Sequence, residues 1–290
     1  MESKQRMNVF ANDLWLKTQR QRTFFIQVGG MALVILSFIL SFLYAQYPLL
    51  ILIAYPALLV GFPMWHWSRG ATRRWAVATK TEEQVSAEFK GLNNKYTLFH
   101  NVVLDKIVLD HVLLSPDGIL VLEMKEGGGL VTCRSTDAGD VWRIKLGMLE
   151  RIARVGEESL RNPTLELDGK IAALQTWLAG KQIGRGPLPI TGVVVFREPR
   201  TPLTIESSKY DVLRLPELKD FVLAGPADAR RVVLLPTDER NRIAAALRGL
   251  LPTVVEKPAA PKRPESDATR PVPTPPAKRP DPSATRPIKR

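Results

Sequence analysis

Between Arg22 and Arg69 the chain carries no Asp, Glu, Lys or Arg, and apolar residues follow one another without the polar face that a water-exposed helix keeps. At about 1.5 Å per residue, the 46 residues 23–68 reach roughly twice the ~30 Å hydrocarbon core of a bilayer. Two helical passes are therefore expected, broken near Gln46 and Pro48. Tyr44 and Tyr47 suit one interface, and Phe24, Phe25, Trp65 and Trp67 suit the other. Pro56 and Pro63 are tolerable inside a membrane helix. The alternative is a buried helical hairpin of a soluble protein.

From Thr81 the pattern changes. "TEEQVSAEFKGL" places Val85, Phe89 and Leu92 on one helical face behind a capping-box spacing from Thr81 to Gln84. Strand-like runs follow at 96–104, 107–114, 119–125 and 130–134, with another around Trp142. "NPTLELDGKIAALQTWLAG" carries a full set of helix signals: Asn162 as N-cap, Pro163 at the first position and Gly180 at the end. Buried strands are expected at 190–196 and 230–236, then a helix from Thr237 to about Leu250. Such an order predicts an α/β domain over 81–251, a mixed sheet flanked by helices and preceded by two transmembrane helices.

Charge changes this picture in one respect. The chain has a net charge of +12, but residues 1–22 carry +3, residues 69–80 carry +4 and residues 252–290 carry +5. Residues 81–251 hold 23 basic and 23 acidic side chains, so the domain itself is neutral and the basic pI does not by itself argue for nucleic acid. The basic stretches 1–22 and 69–80, a terminal segment and a juxtamembrane linker, flank the hairpin on both sides and predict both termini in the cytoplasm. The expected location is a cytoplasmic membrane of bacterial type. Residues 252–290 are rich in Pro, Lys and Arg, repeat "KRPESDATRP" as "KRPDPSATRP", and are expected to be disordered. They act either as a solvated linker or as a weak contact for anionic lipid or nucleic acid. The single cysteine, Cys133, excludes an intramolecular disulfide and a Cys-rich zinc module.

"IVLDHVLLSPDGILVLEMK", residues 107–125, sets Asp110, Glu123 and Lys125 in two otherwise apolar runs. Burying each costs several kcal/mol unless it is paired or binds a metal, roughly the scale of a whole domain's stability. Glu123 and Lys125 are two apart on a strand and leave the same face. If the hairpin pairs Ser115 with Gly118, Asp110 falls opposite Glu123, with Cβ atoms about 4.5–5.5 Å apart. A three-residue loop would shift the register by one and turn Asp110 away, and convergence would then need a bulge. Two carboxylates at that distance suit Mg²⁺ or Mn²⁺, which would polarise a phosphodiester oxygen and lower the pKa of a bound water, with Lys125 orienting the water. A plain ion pair between Asp110 and Lys125 is the non-functional reading.

The stretch 81–200 resembles the nuclease-related domain (NERD), a branch of the PD-(D/E)XK nuclease-like fold. The resemblance is carried by "EEQV", by the Asp-His, Pro-x-Gly and Glu-x-Lys pattern of "LDHVLLSPDGILVLEMK", and by the Asn-Pro opening of "NPTLE". It implies a restriction-endonuclease-like fold, Asp110 and Glu123 as metal ligands for Mg²⁺ or Mn²⁺, Lys125 as the catalytic lysine and Glu82 as an outer-shell acid. It also implies that Asn162 and Glu166 lie at the substrate side. Thr81 stands where the family usually has glycine, and Glu166 where it usually has glutamine, which adds a negative charge where phosphate would approach. His111 follows the family pattern. The function implied is membrane-anchored, metal-dependent hydrolysis of nucleic acid, with DNA the expected substrate. The alternative is a catalytically inactive, membrane-anchored scaffold that binds nucleic acid or a protein partner.

Overall fold

The structure is a computed structural model that describes residues 6–127, 129–147, 161–183, 188–224 and 234–251. The disordered tail expected at 252–290 lies outside the described residues. The chain opens with β1 (Asn8–Ala11) and runs directly into α1 (Asp13–Leu43), whose N-cap Asn12 accepts the Trp15 N–H. A short turn and a single 3-10 turn (Pro48–Leu50) reverse the chain at the expected break, and α2 (Ile51–Glu88) returns. Both helices are long and apolar enough to cross a membrane. Phe25, Phe42, Leu49 and Leu59 point outward and are 70–84% exposed, where a soluble hairpin would cover them.

The two helices meet along small residues spaced by seven. Thr23, Gly30 and Ser37 are buried on α1, and Ala54, Gly61 and Ser68 on α2. One seam residue per heptad is the repeat of a left-handed helix pair, and small residues let the backbones approach. Gly30 is where they come closest, because a Cβ there would lie 2.6 Å from the Trp65 nitrogen and 3.0 Å from the Gly61 carbonyl oxygen. At the neighbouring Gly29 an added Cβ meets nothing within 4 Å. Gly30→Ala is therefore expected to lower the melting temperature of the full chain in detergent, by an overpacking cost of about 1–3 kcal/mol. Gly29→Ala should leave it unchanged or slightly raised. Equal effects at the two positions would refute the packing described.

Residues 69–80, expected as a linker, are helix. Alpha-2 continues without a break, exposing Arg69, Arg73, Arg74 and Lys80 and turning Trp75 inward. There Trp75 packs edge-on against Trp15, with ring centroids 5.4 Å apart, and its Nε1 donates to Thr23 Oγ1 at 3.0 Å. Beyond it the last turns of α2 bury Glu82, Val85 and Phe89 in the domain.

The domain is the expected mixed α/β fold. A six-stranded sheet has the order β1-β2-β3-β4-β7-β9, formed by β1, β2 (Thr97–Leu104), β3 (Ile107–Ser115), β4 (Gly118–Lys125), β7 (Ile190–Phe196) and β9 (Asp211–Arg214). A smaller sheet has the order β6-β5-β8, from β5 (Leu130–Thr136), β6 (Gly139–Lys145) and β8 (Leu203–Ile205). β2, β3 and β4 are antiparallel, whereas β1 joins β2 and β7 joins β4 in parallel. One face of the large sheet buries Leu98, Leu113, Leu122 and Val193 against Val85 of α2, Phe89 at its C-cap and α4 (Leu218–Ala224). The other buries Phe99, Val112, Val121 and Val194 against α3 (Pro163–Gly180) and α5 (Thr237–Arg248). Most of the strand expected over 230–236 lies outside the described residues; Leu234–Pro236 are not strand, and the Leu235 N–H donates to the Pro116 carbonyl at 2.8 Å.

Candidate active site

The β3–β4 hairpin pairs Ser115 with Gly118 and His111 with Leu122, the register that sets Asp110 opposite Glu123. A distortion is present as well. The β2–β3 ladder pairs His100 with His111 and Val102 with Leu109 but skips Asn101 and Asp110 between them, and Asn101 has φ +52°. Phe99 and Val102 consequently face the same core, as do Val112 and Leu109, so both strands lose their alternation at this pair. Asparagine tolerates the left-handed conformation better than most residues. Its side chain is fixed from behind, where Asn101 Nδ2 donates to the buried Glu82 carboxylate of α2. Glu82 is thereby tied to the kink at Asn101, next to the skipped Asp110.

Helix α3 supplies the opposite wall. Asn162 caps it, accepting the N–H groups of Thr164 and Leu165 at 3.1 and 3.3 Å, while its Nδ2 donates to the Asp140 carbonyl at 2.7 Å. Both ends of the amide are engaged in positioning the helix. Asp140 completes this joint. Its buried carboxylate accepts from Ser135 Oγ at 2.5 Å, Thr164 Oγ1 at 2.7 Å and the Lys209 N–H at 3.0 Å. Burial works to raise its pKa, but these donors outweigh burial and hold the carboxyl below its ordinary value. Asn162→Ala should lower the domain's stability by about 1–2 kcal/mol in denaturant melts, the usual worth of an N-cap.

Glu166 and Lys170, one turn apart on α3, face Glu123 and Lys125 on β4. Lys170 Nζ lies 2.5 Å from Asp110 Oδ2 and 2.5 Å from Glu123 Oε2. Lys125 Nζ lies 3.0 Å from Glu123 Oε1 and contacts the Glu166 carboxylate. The result is an alternating row, Asp110, Lys170, Glu123, Lys125, Glu166. Its centre is closed and its ends are open: the Glu123 side chain is 4% exposed, those of Glu166 and Asp110 27% and 41%. Burial pushes the Glu123 carboxyl up to about 7, opposed by Lys170 and Lys125 and assisted by Asp110. Burial also disfavours the Lys170 ammonium, but Asp110 and Glu123 more than reverse this and hold its pKa above the ordinary lysine value. Glu166 ends below the usual carboxylate range because contacts with Glu123 and Lys125 outweigh its burial.

Beside the row, His111 shares a proton with His100 across 2.6 Å between their Nδ1 atoms, and His100 Nε2 meets Ser86 Oγ at 2.9 Å. Burial, with Lys170 adding, pushes His111 down to about 3, so it is neutral at physiological pH. Among the described residues no group of three or more His, Cys, Asp or Glu is arranged to hold a metal ion. Two carboxylate oxygens from different strands do converge on one cationic centre, the Lys170 ammonium. That donor set suits a hard divalent ion, which often takes only one or two protein carboxylates and completes its shell with water and phosphate. Asp110 and Glu123 are the residues that could hold Mg²⁺ or Mn²⁺.

The structure thus brings Asp110, Glu123, Lys125 and Glu166 together, pairs Glu82 with Asn101 opposite the skipped Asp110, and sets Asn162 at the cap of α3. Sequence reasoning missed Lys170, Asn101 and Asp140. Only Lys170 left a signal, four residues after Glu166 on a helix whose start was legible. Residues 78–197, which contain every residue of the row, match the family description of the nuclease-related domain. No curated protein and no solved structure matches the chain.

Proposed function

We propose that the domain is a metal-dependent nuclease of the PD-(D/E)XK type, held at the cytoplasmic face of a membrane by the α1–α2 hairpin, with DNA as substrate. The observation that carries the reading is the convergence of the Asp110 and Glu123 carboxylates on one cationic centre, with Lys125 3.0 Å from Glu123. Asp110 and Glu123 would hold Mg²⁺ or Mn²⁺, which supplies charge to a phosphodiester oxygen and acidifies a bound water. Lys125, its charge fixed between two carboxylates, directs the attacking water and meets the negative charge that develops on phosphorus oxygens. Substrate reaches the row at its exposed ends, Asp110 and Glu166. The apolar, outward-facing hairpin and the basic residues at both its ends support anchoring with both termini in the cytoplasm.

The test is cleavage of supercoiled plasmid, single-stranded DNA and RNA by the full chain in detergent, with Mg²⁺, Mn²⁺ or EDTA. Cutting that requires metal supports the reading and names the substrate. Folded protein that binds Mn²⁺ but cuts none of these, with or without anionic vesicles, would remove it. A second reading, a scaffold that binds nucleic acid or protein without cleaving, is favoured by one observation: residues 81–251 have no net charge, whereas phosphate binding draws on several Lys or Arg. A reporter fused after Arg290 should be active only on the cytoplasmic side, and activity on the opposite side would overturn the anchor's topology.

A further inference from the structure

The seat that a divalent ion would take between Asp110 and Glu123 holds a side chain of the protein itself. From this geometry we infer that Lys170 is a tethered cation that competes with the metal, so that a divalent ion binds only by displacing it. The inference rests on the metal-site reading above and adds to it what controls occupancy of the site.

Lys170 Nζ stands 2.5 Å from one oxygen of each carboxylate. A Mg²⁺ ion needs the same oxygens at about 2.0–2.1 Å, so an ammonium and a dication cannot share the gap, and their repulsion at that range is strong in a site shielded from water. The helix that carries Lys170 is not free to withdraw. Its N-terminus is fixed by Asn162, Thr164 and Asp140, and Leu167, Ile171 and Leu174 are buried in the core. Movement is left to the four-carbon stem of Lys170. On its own helix Glu166 lies one turn away, and on the other side Asp110 opens to solvent. A phosphate arriving at that opening offers the displaced ammonium a new partner. Metal and nucleic acid then assist each other's binding, because each removes a cost the other meets alone. Without metal, the lysine keeps Glu123 paired, so the fold does not depend on the ion.

Mn²⁺ alone, titrated into the full chain in detergent and followed by the electron-paramagnetic signal of the free ion, tests this. Lys170→Gln should bind Mn²⁺ about tenfold more tightly than wild type or better, and Lys170→Met, which keeps the stem, should do the same. Lys125→Gln removes an equal charge outside the seat and should tighten binding less. In EDTA the Lys170 variants should melt below wild type, and Mn²⁺ should restore them, whereas a merely structural lysine would give a loss that metal does not repair. Unchanged or weaker Mn²⁺ binding in both Lys170 variants, with binding abolished by Asp110→Ala, would overturn the inference and leave the metal site standing. Equal tightening in the Lys125 and Lys170 variants would reduce the effect to general charge and also overturn it. No Mn²⁺ binding by any of the proteins would remove the metal-site reading and the inference together.

Discussion

Lys125→Ala is expected to lower metal-dependent cleavage by about 10²–10³-fold, the usual loss when one preorganised charge is taken from a developing anion. The melting temperature should change little. Glu123 keeps Lys170 as its partner at 2.5 Å, and Glu166, 27% exposed, turns to water. The two readouts together are informative because Glu123→Ala should behave differently. It removes the shared partner of both lysines and leaves two largely buried ammoniums facing each other. Cleavage by the Lys125 variant within about threefold of wild type, measured on the same plasmid at saturating metal, would show that the lysine is a structural counter-ion and would remove it from the catalytic role.

The second large effect lies outside the row. Asp140→Ala is expected to destabilise the domain by about 3–5 kcal/mol, since it removes a buried charged acceptor and leaves the Ser135 and Thr164 hydroxyls and the Lys209 N–H without it. Because this carboxyl is held below its ordinary value in the fold, its contribution is fully present above about pH 4 and is lost as pH falls through the folded value. The gap between wild type and Asp140→Asn in urea melts should therefore be widest near neutrality and narrow in acid. A gap that stays constant from pH 7 to pH 3 would contradict the role described. The same joint aims Glu166 and Lys170, so the variant should lose activity through misplacement even where it still folds.

Much of this architecture is written locally. The Asn-Pro opening at 162–163 caps a helix by its own side chain, and the alternation of β4 puts Glu123 and Lys125 on one face. Other parts depend on contacts far away in the chain. Nothing in "NVFA" distinguishes β1 from a loop until Thr97–His100 present an edge to pair with it. The charges of 69–80 read as a linker because the partner that orders them, Trp15 against Trp75, lies sixty residues earlier. Asp140 sits in an ordinary turn sequence and gains its importance from Thr164 and Lys209. Lys170 was recoverable only in part: its spacing from Glu166 put it on the right face, but its seat between two strands exists only once the helix has docked.

One feature of the fold reaches beyond the site. Beyond Pro63, α2 runs as uninterrupted helix to Glu88, about 37 Å at 1.5 Å per residue, while β1 ties the start of α1 into the same sheet. The hairpin and the domain are thus joined by two short, stiff struts with no swivel between them. If the hairpin spans a membrane as proposed, a domain on such a mount is held at one height and one bearing above the lipid. A bilayer that thins or thickens, by altering the lean of the hairpin, would then turn the row of charges by the same angle.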